Sequence, residues 1–119
     1  MSKLYDLEDR TLQFAKDVRQ FIRQIPRNVS SIEDGKQLVR SSGSVGANYI
    51  EANESLSKKD FLMRLRIAKK EAKESRFWLE LLDIDKNLES LRLKLLKEST
   101  ELMVILSSII YKSENKDKV

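Results

Sequence analysis

The chain of 119 residues contains no cysteine and no histidine. The first absence excludes disulfides and thiolate chemistry and fits a reducing compartment. The second removes the usual general base and the commonest ligand for transition metals. Glycine occurs three times and proline once, too seldom to turn the strands of a sheet protein of this size. No apolar run approaches the length of a membrane span, and the opening MSKLYDLEDR lacks the apolar segment of a signal peptide. These gaps point to a soluble, cytoplasmic, helical protein for which no cofactor is expected.

What remains is 40% apolar and 35% charged, the make-up of amphipathic helices around one core. The net charge is +4, and it is unevenly spread. Between Lys58 and Arg76 eight basic residues face three acids, a local excess of +5, while the rest of the chain is close to neutral. A concentrated positive segment suits an anionic partner.

Apolar spacing marks four helices. Leu7, Thr11, Phe14, Val18, Phe21 or Ile22, and Ile25 recur every three or four residues, which predicts a helix over about 6–25. Pro26 ends it, because Pro26 has no N–H to donate and pushes Ile25 out of the α region. Ser30 and Glu33 form a capping-box pattern that starts a second helix over about 31–54. Its buried stripe is Ile32, Leu38, Val39, Ser42, Val45, Gly46, Tyr49, Ile50 and Asn53. Ser57 to Asp60 repeats the cap signal for a third helix, over about 58–83. There Phe61, Leu65, Ala68, Ala72, Ser75, Leu79 and Leu82 hold the 4–3 rhythm of a nearly straight bundle seam. Leu88, Leu91, Leu95, Leu102, Leu106 and Ile109 mark a fourth helix over about 88–112, and 113–119 reads as a polar, disordered tail. Four amphipathic helices on short connections predict an all-α, up-down-up-down antiparallel four-helix bundle.

Two of these helices carry apolar residues away from their seams: Met63, Ile67, Trp78 and Leu81 on the third, and Leu93, Leu96, Val104 and Tyr111 on the fourth. A wide core stripe would absorb them. The preferred reading is a subunit interface, because contiguous exposed apolar surface marks an interaction site.

The stretch SSGSVGANYIEANES, residues 41–55, holds two of the three glycines. Gly43 and Gly46 lack the spacing and the following Lys of a phosphate-binding loop, and no strand precedes them. Glu51 and Glu54 have no histidine partners for a di-iron centre, which leaves only an oxygen-only Mg²⁺ site open there. Packing is the surviving explanation. Each glycine costs about 1 kcal/mol of helix propensity, and close approach of another helix offsets that cost. Gly46 is expected against a neighbouring helix or a large side chain such as Trp78. Ser41, Ser44, Ala47 and Asn48 are expected on the outer side as a small-residue surface for a neighbouring subunit. Asn48 and Glu51, one turn apart, suit hydrogen bonding across a helix–helix contact.

Three blocks in order make the segment Arg40 to Leu82 distinctive. They are Arg40, Ser41, Ser44, Val45, Gly46, Ala47, Asn48 and Glu51; then Ser57, Lys58, Lys59, Asp60 and Phe61; then Ile67, Ala68, Lys70, Glu71, Ala72, Glu74, Trp78, Leu79, Leu81 and Leu82. In this the chain resembles the four-helix bundle proteins encoded in intervening sequences of bacterial 23S ribosomal RNA genes. The resemblance implies a ring-like homo-oligomer, a homopentamer, and supplies no established biochemical activity. The chain also looks like the related basic accessory protein of diversity-generating retroelements, which binds a reverse transcriptase and nucleic acid.

On the third helix Lys59, Arg66, Lys69, Lys70 and Lys73 fall within about 100° of arc. On the first, Lys16, Arg19, Arg23 and Arg27 form a second basic line. Such stripes track phosphates without reading bases, and Phe77 alone offers an aromatic near the first of them. Structured RNA or DNA is therefore an expected partner, and a scaffold that docks a protein such as a reverse transcriptase is the alternative. The competing explanation is a solvated face neutralised by its own acids, with Glu74 four residues after Lys70 and Glu71 five after Arg66. Catalysis would fall to Ser57 beside Lys58 or Lys59, or to Glu51 with Glu54. Ser57 is better explained as a helix cap, and no enzymatic activity is expected.

Overall fold

A computed structural model of the protein describes residues 3–116. Among them all regular structure is helical: α1 Lys3–Arg23, α2 Val29–Asn53, α3 Lys58–Leu81 and α4 Glu89–Asn115, with a 3₁₀ turn at Lys86–Leu88. Each helix packs on the one before it, and α1 closes the ring on α4. The result is the expected antiparallel bundle, 52 × 24 × 21 Å, in which α2 lies diagonally across from α4. Packing is most extensive between α2 and α3 and least between α1 and α4.

The seams fall where the apolar spacing puts them. Leu7, Phe14, Val18, Phe21 and Ile25 of the first segment are buried against Leu38, Val45 and Tyr49, with Leu65, Ala68, Ala72, Leu79 and Leu82 and with Leu95, Leu102 and Leu106. At the margins the spacing errs by one position. Ile50 is exposed, and Ile110 is buried where Ile109 was expected and is itself only half-buried.

The start of α2 also differs. The cap is Asn28, not Ser30: its side chain accepts from the Ser31 N–H at 2.9 Å, and the Ser31 hydroxyl accepts from the Asn28 N–H at 3.0 Å. Asn28 offers the same capping chemistry two residues earlier, so the helix gains about half a turn. Ser57 caps α3 as expected, accepting from the Asp60 N–H at 3.1 Å. At the other end of the chain, 113–115 of the expected tail continue α4, and 117–119 lie outside the described residues.

No glycine has a positive φ, so what they supply is space. A Cβ on Gly46 would lie 2.8 Å from Thr11 Oγ1 and 3.1 Å from Thr11 Cβ. The close approach is thus between α2 and α1, and its partner is Thr11, not Trp78. At Gly43 the nearest group is the Arg19 guanidinium, at 3.3 Å. Ser41, expected outside, is fully buried between α2 and α3, with its hydroxyl 2.8 Å from that of Ser75. Two small polar side chains facing each other let these helices approach while each satisfies the other.

Candidate nucleic-acid interface

A polar network across α2 and α3 decides which charges are available on the surface. Arg40 of α2 donates to Glu71 at 2.8 Å and also to Glu74, both on α3. Glu71 is buried, and the Trp78 indole N–H donates to Glu74 at 2.9 Å. Beneath them the Ser75 hydroxyl donates to the Glu71 carbonyl at 2.9 Å and shares a hydrogen bond of 2.8 Å with the Ser41 hydroxyl. The Trp78 hydrogen bond, followed by that of Arg40, holds the Glu74 carboxyl below its ordinary range against the opposing effect of burial. Burial works against the charge on Arg40, but the two carboxylates outweigh it and raise the guanidinium above its usual value. Trp78 is therefore half-buried, packed on the core and tied to Glu74.

These bonds remove both acids expected to neutralise the α3 stripe. Glu74 does not pair with Lys70, nor Glu71 with Arg66. Lys59, Lys69, Lys70 and Lys73 make no ion pair among the described residues, and all but the half-buried Lys69 are exposed. Arg66 is engaged, pairing with Glu114 near the end of α4 at 2.5 Å. That contact is half-exposed and easily exchanged for another anion. The stripe from Lys59 to Lys73 spans about 21 Å of helix. Phe77, 57% exposed, lies one turn beyond it with its ring edge-on to Trp78.

The basic line on α1 is interrupted. Arg19 is half-buried, donating to the Ala15 carbonyl at 3.1 Å and, across the helix contact, to that of Val39 at 3.5 Å. Lys16 and Arg23 remain exposed on either side of it without an ion-pair partner among the described residues. Arg10, which the spacing did not single out, clamps α1 to α4. It donates to Glu98 at 2.7 and 2.8 Å and to Glu101 at 2.9 Å, and the Glu98 bond chiefly raises its pKa. Partners 88 and 91 residues apart leave no local signal. Among the described residues no group of three or more acids is disposed to hold a metal ion.

The expected interface residues divide. Asn48 bridges helices: its side chain donates to the Ser44 carbonyl and hydroxyl at 2.9 Å and accepts from Arg64 of α3 at 3.2 Å. Glu51 is exposed, and its carboxylate has no partner among the described residues. Met63, Leu81 and Ala47 are exposed, and Ser44 and Ile67 are half-buried. On α4, Leu93, Val104 and Tyr111 are more than half exposed, whereas Leu96 packs on the core.

The described residues thus define a basic four-helix bundle with a lysine stripe on α3, exposed apolar side chains on the α2–α3 side and an uncharged strip on α4. The sequence matches the description of the 23S rRNA-intervening sequence protein family over residues 5–108, and the chain belongs to that family. A protein of unknown function from the S23 ribosomal protein family of Bacteroides thetaiotaomicron, solved by crystallography, is 33% identical to it. The match covers 92% of this chain and 99% of that one, with a TM-score of 0.80. No protein of curated function matches.

Proposed function

We propose that the protein is a non-catalytic, cytoplasmic homo-oligomer that binds structured RNA through the α3 stripe. The observation that carries this is the engagement of Glu71 and Glu74 by Arg40, with Lys59, Lys69, Lys70 and Lys73 making no ion pair among the described residues. Four lysines on one helix face suit a phosphate backbone, and the family's association with 23S rRNA intervening sequences favours RNA as the anion. Copies associating through the α2–α3 face and α4 would repeat the stripe around the assembly, a pentamer by the family resemblance, and multiply weak contacts.

Fluorescence anisotropy with a labelled ribosomal RNA hairpin tests this. Four phosphate contacts predict that Kd rises on the order of 100-fold between about 50 and 200 mM salt. The triple variant Lys69→Glu, Lys70→Glu, Lys73→Glu abolishes binding. Absence of binding at low salt, or equal binding by the variant, refutes the proposal.

A second reading rests on α4. Thr100, Val104, Ser108 and Tyr111 carry no charge along three turns of its outward side, with Val104 and Tyr111 well exposed. Such a surface suits apolar docking of a partner protein, a reverse transcriptase being one candidate. Association of that kind responds little to salt.

A further inference from the structure

We infer that the cleft at the α1–α2 turn binds a small amphiphilic anion, a carboxylate on an aliphatic body. The cleft, of about 550 Å³, is walled by Ile22 and Ile25 of the first segment and by Ile32 and Val39 of α2, with Gly35 between them. That volume suits a small organic ligand, and apolar walls with few polar groups are the usual construction of such sites.

Charge selects the sign of the head group. Arg23, Arg27 and Lys36 line the cleft, all exposed, and no acid does. Neither arginine has an ion-pair partner among the described residues. Lys36 touches only Glu33, at 3.7 Å, in a pair that is 68% exposed on both sides and therefore weak. The Ser31 hydroxyl is already committed, donating to the Pro26 carbonyl at 2.8 Å. A ligand here finds a greasy wall and three cations.

Gly35 lies in the wall of the cleft, buried beside Ile22. Gly46 has its glycine because α1 crosses too closely for a Cβ. At Gly35 a Cβ would meet the Ile22 side chain in ordinary contact, with Cδ1 at 3.4 Å and Cγ2 at 3.9 Å. Close packing does not require glycine in this turn of α2, yet the position forgoes the helix propensity of alanine. The missing side chain lets Ile22 lie close against α2 as part of the apolar wall.

Methyl NMR of isoleucine-labelled protein, titrated with decanoate and separately with decylammonium, tests the inference. Decanoate shifts the methyls of Ile22, Ile25 and Ile32 saturably while those of Ile67 and Ile105 stay in place. Decylammonium binds at least 10-fold more weakly. The double variant Arg23→Gln, Arg27→Gln, whose changes are confined to exposed side chains, weakens decanoate at least 10-fold, and Gly35→Leu removes the shifts. Equal response to both amphiphiles, no response to decanoate at millimolar concentration, or shifts confined to other isoleucines overturns it. The α3 stripe contributes nothing to this cleft, so neither result depends on RNA binding.

Discussion

Replacing Gly46 by alanine sets two effects of known sign against each other. In an unobstructed helix interior the change gains about 1 kcal/mol of propensity. Here the new methyl would lie 2.8 Å from Thr11 Oγ1 and 3.1 Å from Thr11 Cβ. Thr11 cannot swing aside cheaply. It is 1% exposed, it is β-branched, and its hydroxyl donates to the Glu8 carbonyl at 3.0 Å. Relief requires α1 to shift, and overpacking of this kind costs about 1–3 kcal/mol. The expected net is a loss of about 1 kcal/mol. With an unfolding entropy of roughly 2.1 cal/mol/K per residue, this chain loses about 4 °C in Tm per kcal/mol. Thermal unfolding at one fixed protein concentration, in wild-type and Thr11→Ala backgrounds, separates the two effects. Thr11→Ala removes the 2.8 Å contact with Oγ1 but keeps the Cβ at 3.1 Å, so the penalty of Gly46→Ala shrinks in that background, a coupling of about 1 kcal/mol. Gly35→Ala is the control and raises Tm by about 4 °C, because its Cβ has room. A rise of similar size for Gly46→Ala in both backgrounds would refute the packing argument.

Other outcomes follow from the polar contacts. Arg40→Ala leaves Glu71 buried without its guanidinium and lowers stability by about 2 kcal/mol, read by chemical denaturation; the half-exposed arginine keeps this below the cost of breaking a fully buried pair. Glu74 has a depressed carboxyl pKa in the folded state, so its contribution is present above the ordinary value of 4.5 and lost as pH falls through the folded value. Melting curves between pH 6 and pH 3 should therefore show a smaller acid-induced loss for Glu74→Gln than for the wild type. Arg10→Gln breaks the α1–α4 clamp, whose partners are a quarter to nearly half exposed, and costs no more than about 1 kcal/mol by the same assay.

The helical seams were legible because they depend on local period alone. The seven positions from Phe61 to Leu82 needed only the 4–3 spacing, and six of them are fully buried while Phe61 packs at the margin. Capping was legible in kind but not in place: Asn28, Ser30 and Ser31 all carry acceptor oxygens, and the chain uses the earliest. Long-range polar pairing was not legible. Lys70 and Glu74 sit at helix spacing, but Glu74 goes to Arg40, 34 residues away, because α2 brings a guanidinium and Trp78 an indole to the same carboxylate. For the same reason Arg19 looked like one more member of a cationic line. The docking of α1 on α2 beside Gly43 half-buries its guanidinium, which donates to the Ala15 carbonyl of its own helix and reaches that of Val39.

The uneven packing around the bundle also grades its local opening. With most contact between α2 and α3 and least between α1 and α4, the four helices do not share one protection against solvent. Hydrogen exchange is expected to be slowest for the core amides of the α2–α3 hairpin, with its buried serine pair and Arg40 network. Those of α1 are expected to exchange faster, through a partial opening that gives up Thr11, Arg10 and Arg19 together. A protease would find its first cut between Gln24 and Asn28, at the hinge of the segment that leaves first.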